Sequence, residues 1–193
     1  MRRSKEEAEQ TRLRILRAAE ELFSQKGVQS SSLEQIARAA GVTRGAIYWH
    51  FKDKQALLQA LSEKFAPPED ELTKAALEGT SEDIFVVFER SAERFLALFA
   101  ADESRQNIFT ILSSDVAQDP ETRLQGQMLT RRLAERAAAS GILAEDVSPE
   151  EAGLILVVTM RGLLSEWLTS GRSFDLPAAG MKILRRQIRQ LRR

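Results

Sequence analysis

The 193-residue sequence has no cysteine and only one histidine. The first absence excludes disulfides, thiolate-ligated metal centres and a thiol nucleophile, and it permits a reducing interior. Gly-rich phosphate loops, HExxH and GxSxG are also missing, and the single histidine, His50, has no candidate nucleophile paired with it. An enzyme is therefore not the expected class, and no cofactor or metal is implied. The N-terminal run "MRRSKEEAEQTR" lacks the apolar stretch of a secretory signal, so a cytoplasmic protein is expected. Net charge is absent too, at 28 basic against 28 acidic residues, so any preference for a charged partner must lie in how the charge is distributed.

What remains is enough for a core: 43% hydrophobic and 29% charged residues describe a globular chain of one domain or two small ones. Residues 1–66 hold 12 Lys and Arg against 8 Asp and Glu, an excess of +4, whereas residues 67–193 hold 16 against 20. Anion-facing work is expected at the basic N-terminal end.

Nearly every segment has helical periodicity, which makes the expected fold class all-α. Ile15, Leu16, Ala19, Leu22 and Phe23 form the stripe of a first helix that ends at Gly27. Ser31 and Glu34 have the spacing of a capping box for a second helix, running to about Ala40. Gly41 stops it, Thr43 caps a third, and Val42 and Ile47 are placed as a hydrophobic staple. Two helices crossing steeply through a short turn need a small residue at their approach, a glycine in the turn and a branched apolar plug. Ala37, Gly41 and Ile47 supply them.

With Ile47 and Phe51 inward, the third helix shows Thr43, Arg44, Gly45 and Tyr48 outward, a face suited to the major groove of DNA. Arg44 can present a bidentate fork to guanine O6 and N7. Tyr48, His50 and Lys54 can reach phosphates, and Ser32 can add its hydroxyl and the free N–H groups of a helix start. For Trp49, packing on the first helix and DNA contact are equally open.

The run "TRLRILRAAEELFSQKGVQSSSLEQIARAAGVTRGAIYWHFKDKQALLQAL" resembles the DNA-binding domain of the TetR family of transcriptional repressors, and within it the AcrR-like branch that represses multidrug efflux genes. "MRGLLSEWLTSGRSFDL", Met160 to Leu176, is similar to the same branch. The resemblance implies a cytoplasmic all-helical homodimer. Its N-terminal three-helix helix-turn-helix domain, residues 1–66, would bind a palindromic double-stranded operator, and its C-terminal domain, 67–193, would dimerise and hold an inducer. It also implies DNA contacts at Thr43, Arg44, Gly45, Tyr48, Trp49, His50 and Lys54. The alternative is a DNA-binding regulator with no small-molecule inducer. One departure from the family is Pro67–Pro68, which should stop or kink the fourth helix near Phe65 or Ala66. Arg2, Arg3 and Lys5 read as a disordered arm.

Further on, Thr80 with Asp83, Asp119–Pro120 and Ser148–Pro149–Glu151 mark helix starts. The helix from Ser148 to about Ser170 is apolar nearly all round, but reads as too short, and too interrupted by Arg161 and Glu166, to span a membrane. Pro177, Met181, Leu184, Ile188 and Leu191 form a seam expected to pair two protomers, with Gly153, Gly162 and Ser165 admitting a partner helix. The apolar side chains Phe88, Phe95, Phe99, Phe109, Met128, Met160 and Trp167 are the expected lining of a site for a hydrophobic or aromatic inducer. Asn107, Gln125, Arg161 and Glu166 are its expected polar contacts.

Overall fold

The computed structural model describes residues 2–65, 71–114 and 120–193, with the side chains of residues 2–4, 71 and 120–125 left aside. Ten helices account for them: α1 (Arg2–Lys26), α2 (Leu33–Ala39), α3 (Arg44–His50), α4 (Lys54–Phe65), α5 (Glu71–Glu78), α6 (Ile84–Ala101), α7 (Glu103–Ser113), α8 (Pro120–Ala139), α9 (Pro149–Thr169) and α10 (Leu176–Leu191). No strand occurs among the described residues; a lone antiparallel bridge joins Leu143 to Arg192. The expected break at Pro67–Pro68 falls outside the described residues. Helix α1 begins at Arg2, so the N-terminal arm expected to be disordered is helical.

The helices divide into two compact units, and the division does not follow chain order. The first unit contains α1–α4 together with α7, and the second contains α5, α6 and α8–α10. Helix α7 joins the first unit because its apolar face completes that core: Ile108 and Ile111 are buried with Ile15, Phe23, Ile36, Ile47, Leu57 and Leu61. Phe109 lies 6.1 Å from the Phe65 ring, and Arg105 donates to the Phe65 carbonyl. The nearly buried Glu20 carboxylate accepts from Lys64 Nζ at 3.0 Å and from Ser104 Oγ at 2.8 Å, which ties α1, α4 and α7 through one satisfied charge.

In the second unit α8 packs along α9, and α10 packs against α6 and α9. Gly153 makes the first contact possible: a Cβ there would lie 2.8 Å from both Cα and N of Arg131. Its smallness admits α8 of the same chain rather than a partner, against the expectation. The seam of α10 is likewise filled from within, since Met181, Leu184, Ile188 and Leu191 are all buried in the single chain. Ser148 and Glu151 form the expected capping box of α9, and Asp83 caps α6. At 21 residues, α9 is long and apolar enough to cross a membrane by length and composition alone, correcting the expectation that it is too short. Part of its apolar surface is covered, with Leu156, Leu163, Leu164 and Trp167 buried in the unit.

Candidate nucleic-acid interface

The turn between α2 and α3 is fixed by backbone hydrogen bonds. Gly41, at φ +65°, donates to the Arg38 carbonyl at 3.2 Å, and Val42 donates to the Ala37 carbonyl at 2.9 Å, which is a Schellman closure of α2. Thr43 Oγ1 then accepts from Ala46 N–H at 3.1 Å and starts α3. Ala37, Ile47 and Phe51 are buried beneath the turn, as the spacing predicts. The cap of α2 sits one residue later than expected: Ser32 pairs with Gln35, not Ser31 with Glu34. Ser31 is buried and its hydroxyl donates to the Gly27 carbonyl, so it fastens the end of α1. Ser32 keeps its place at the helix start with its oxygen accepting from Gln35 N–H.

On the outward side of α3, Thr43, Arg44, Gly45, Tyr48 and Trp49 are exposed. Trp49 is 73% exposed and meets the His50 ring edge-on at 4.5 Å, so it does not pack on α1. At Gly45 a Cβ would meet nothing nearer than Thr43 Oγ1 at 3.9 Å, so the fold of the chain does not itself require glycine there. His50 is half-buried, and its pKa is lowered by that desolvation and by the Arg12 guanidinium, with Glu9 opposing. Both influences favour the neutral imidazole over the imidazolium.

Two positions differ from what a row of outward-facing donors would give. Lys54 Nζ donates to the carbonyls of Val28, at 2.9 Å, and Gln29, at 3.4 Å, so its ammonium clamps the loop after α1. Glu34, on α2, reaches across to α3: Tyr48 Oη donates to its Oε1 at 3.2 Å and Arg44 Nη2 lies 3.3 Å from the same oxygen. The Arg44 guanidinium sits 5.7 Å from the Tyr48 ring centroid. The Glu34 carboxyl is held below its ordinary range, first by hydrogen bonding to its own backbone amide, then by the Tyr48 hydroxyl and the Arg44 charge. Sequence reasoning missed Glu34 by giving it to the cap; its signal was a carboxylate one turn into α2, facing an arginine across a glycine turn.

The residues expected around an inducer are divided between the two units. Phe88, Phe99 and Trp167 are buried in the second unit, with Phe99 and Trp167 rings 6.0 Å apart and Trp167 Nε1 donating to the Phe174 carbonyl. Phe95 stacks near Phe99, and Met160 and Arg161 are half-buried on α9. Met128 is 51% exposed, and Glu166 is exposed as well. Asn107 and Phe109 lie on α7 in the first unit, Asn107 facing solvent and Phe109 buried. The Gln125 side chain lies outside those described. Among the described residues no cluster of His, Asp or Glu could hold a metal ion.

Two short helices crossing at a glycine turn, with an uncovered basic and aromatic face on the second, define a helix-turn-helix unit, the class of fold that regulators dock on DNA. The family described as bacterial regulatory proteins, tetR family, matches residues 15–61. The transcriptional repressor BepR of Brucella suis is 37% identical over the whole of this chain and 97% of its own length. Among solved structures, NalD, the secondary repressor of the MexAB-OprM multidrug efflux pump of Pseudomonas aeruginosa, is 32% identical, with a TM-score of 0.79 over 97% of this chain and 98% of its own. SmeT in complex with triclosan is 28% identical, with a TM-score of 0.81 over 95% and 92%; SmeT is the repressor of the Stenotrophomonas maltophilia efflux pump SmeDEF. The chain belongs to the TetR family of bacterial transcriptional regulators.

Proposed function

We propose that this protein is a cytoplasmic, non-enzymatic repressor that binds a palindromic operator as a homodimer, controls a multidrug efflux operon and is released by hydrophobic small molecules. The observation that carries the DNA reading is Gly45, a glycine the fold does not need, flanked by exposed Arg44, Tyr48 and Trp49. A helix bare at that point can lie deep in a groove, with Arg44 on guanine and Tyr48, Trp49, His50 and the Ser32 helix start along the phosphates.

The dimer face follows from what the chain leaves uncovered. Leu154 and Val158, one turn apart on α9, are 53% and 58% exposed, and Ile183 on α10 is 42% exposed. Gly162, one turn further along α9, has no atom within 4 Å of where its Cβ would be. This strip takes the role expected of the α10 seam, and two heads so joined would read half-sites about one helical turn, or a multiple, apart. Inducer binding is supported by the triclosan complex of SmeT, and in this chain it would draw on Phe88, Phe95, Phe99, Met160, Arg161 and Trp167. A tenfold preference for the DNA-incompetent state corresponds to only about 1.4 kcal/mol, so modest contacts suffice.

The test is fluorescence anisotropy with DNA from upstream of the protein's own gene and of adjacent efflux genes, with aromatic compounds then titrated into the complex. Arg44→Ala is expected to weaken specific binding by roughly 1–3 kcal/mol per half-site. Specific binding that no compound relieves would leave a regulator without an inducer.

A further inference from the structure

The Glu34 carboxylate is out of place on a surface that meets phosphate. It is about half exposed, it stands on the same side as Arg44 and Tyr48, and an anion there repels nucleic acid at long range. Its contacts point to a use. One oxygen, Oε1, takes the Tyr48 hydroxyl and one guanidinium nitrogen of Arg44, while the Tyr48 ring supports the guanidinium. Carboxylate, phenol and guanidinium thus form one unit that spans two helices and stands beside the bare Gly45.

The geometry uses only part of what Arg44 can donate. A guanidinium carries five N–H groups, and the ion pair with Glu34 is made through Nη2. An arginine so tethered loses less side-chain freedom on meeting a guanine edge, and it is less able to swing aside to a phosphate. We infer that Glu34 is a positioning residue that holds Arg44 over the groove-facing end of α3 and thereby raises discrimination between operator and random DNA. The inference rests on the proposed docking of α3.

The experiment uses the full-length protein, an operator duplex from its upstream region and a scrambled duplex of equal length, with affinities measured over a range of salt. Glu34→Gln is expected to lower the ratio of specific to random affinity roughly two- to tenfold, the lower part of the range for coupling between contacting residues, as suits an exposed pair. It should also steepen the salt dependence on the scrambled duplex by about one phosphate contact, because the released arginine moves to the backbone. In the Arg44→Ala background the same substitution should strengthen both duplexes equally and leave the ratio unchanged. Thermal unfolding should fall only slightly, since Glu34 is at the surface. An unchanged ratio on Glu34→Gln, or the same fall with and without Arg44, overturns the inference. A wild-type protein that does not distinguish the duplexes overturns the docking of α3 itself.

Discussion

Gly153→Ala tests the packing of α8 on α9, because the added methyl has nowhere to go. Its carbon would stand 2.8 Å from Arg131 Cα and N and 3.1 Å from the Thr130 carbonyl carbon, about 0.6 Å inside the 3.4 Å at which ordinary contact begins. The obstacles are backbone atoms, so no rotamer change relieves them and α8 must retreat. That retreat loosens Leu133, Ala134, Ala137 and Leu156, each fully buried. Overpacking of this kind costs about 1–3 kcal/mol, here in the upper half, against up to about 1 kcal/mol gained from alanine's helix propensity. The expected net loss is about 1–2 kcal/mol, or about 2–8 °C in Tm for a chain of this size. Gly126→Ala is the control on the same helix pair. Its methyl would meet Val157 Cγ2 at 3.7 Å and Arg161 Nη2 at 3.8 Å, both ordinary contacts, so propensity alone should stabilise by about 0.5–1 kcal/mol. Urea unfolding of both variants at one protein concentration decides it. A Gly153→Ala protein as stable as the Gly126→Ala protein would refute the close approach of α8 and α9.

Lys54→Met should lower stability by about 1–2 kcal/mol, since it removes a charged donor from the Val28 and Gln29 carbonyls, and should weaken binding to all DNA sequences alike; an unmoved urea midpoint would mean that the clamp carries no stability. His50, whose pKa is depressed in the folded head by desolvation and then by Arg12, favours folding as the neutral ring. Its contribution is complete above the unfolded value near 6.5 and is lost as pH falls through the lower folded value, so the wild-type urea midpoint should drop more than that of His50→Asn as pH is lowered below about 6.5. Val158→Glu on the exposed strip of α9 should convert the proposed dimer to monomer in sedimentation at micromolar concentration; a persisting dimer would move the interface elsewhere.

The sequence carried the local rules well and the long-range partners poorly. Ala37, Gly41 and Ile47 announced the helix crossing because three neighbouring positions each had a steric reason to be what they are. Ser148 and Glu151 likewise marked the start of α9 without help from the rest of the fold. Three consecutive serines, Ser30–Ser32, offered more than one register for the α2 cap, and the choice went to Ser32 because Ser31 is used by α1. The α10 seam shows a different limit: periodicity says that Met181, Leu184 and Ile188 are covered, not which surface covers them. Pairing of Glu34 with Tyr48 across 14 positions, and of Glu20 with Ser104 across 84, is set by tertiary packing that no window of sequence contains.

Helix α7 has a consequence for how the protein is made. The polypeptide passes between the two units at residues 66–67, 102–103 and 119–120, so neither unit is a contiguous cassette. A nascent chain that has emerged only to residue 66 lacks Ile108 and Ile111, and the underside of α1 and α4 has nothing to cover it. At ribosomal speeds of about 5–20 residues per second, the missing helix arrives about 2–9 s later, after α5 and α6 of the other unit have been synthesised. The core of the reading head is therefore completed only after part of its neighbour has been synthesised, which ties the two units together in time.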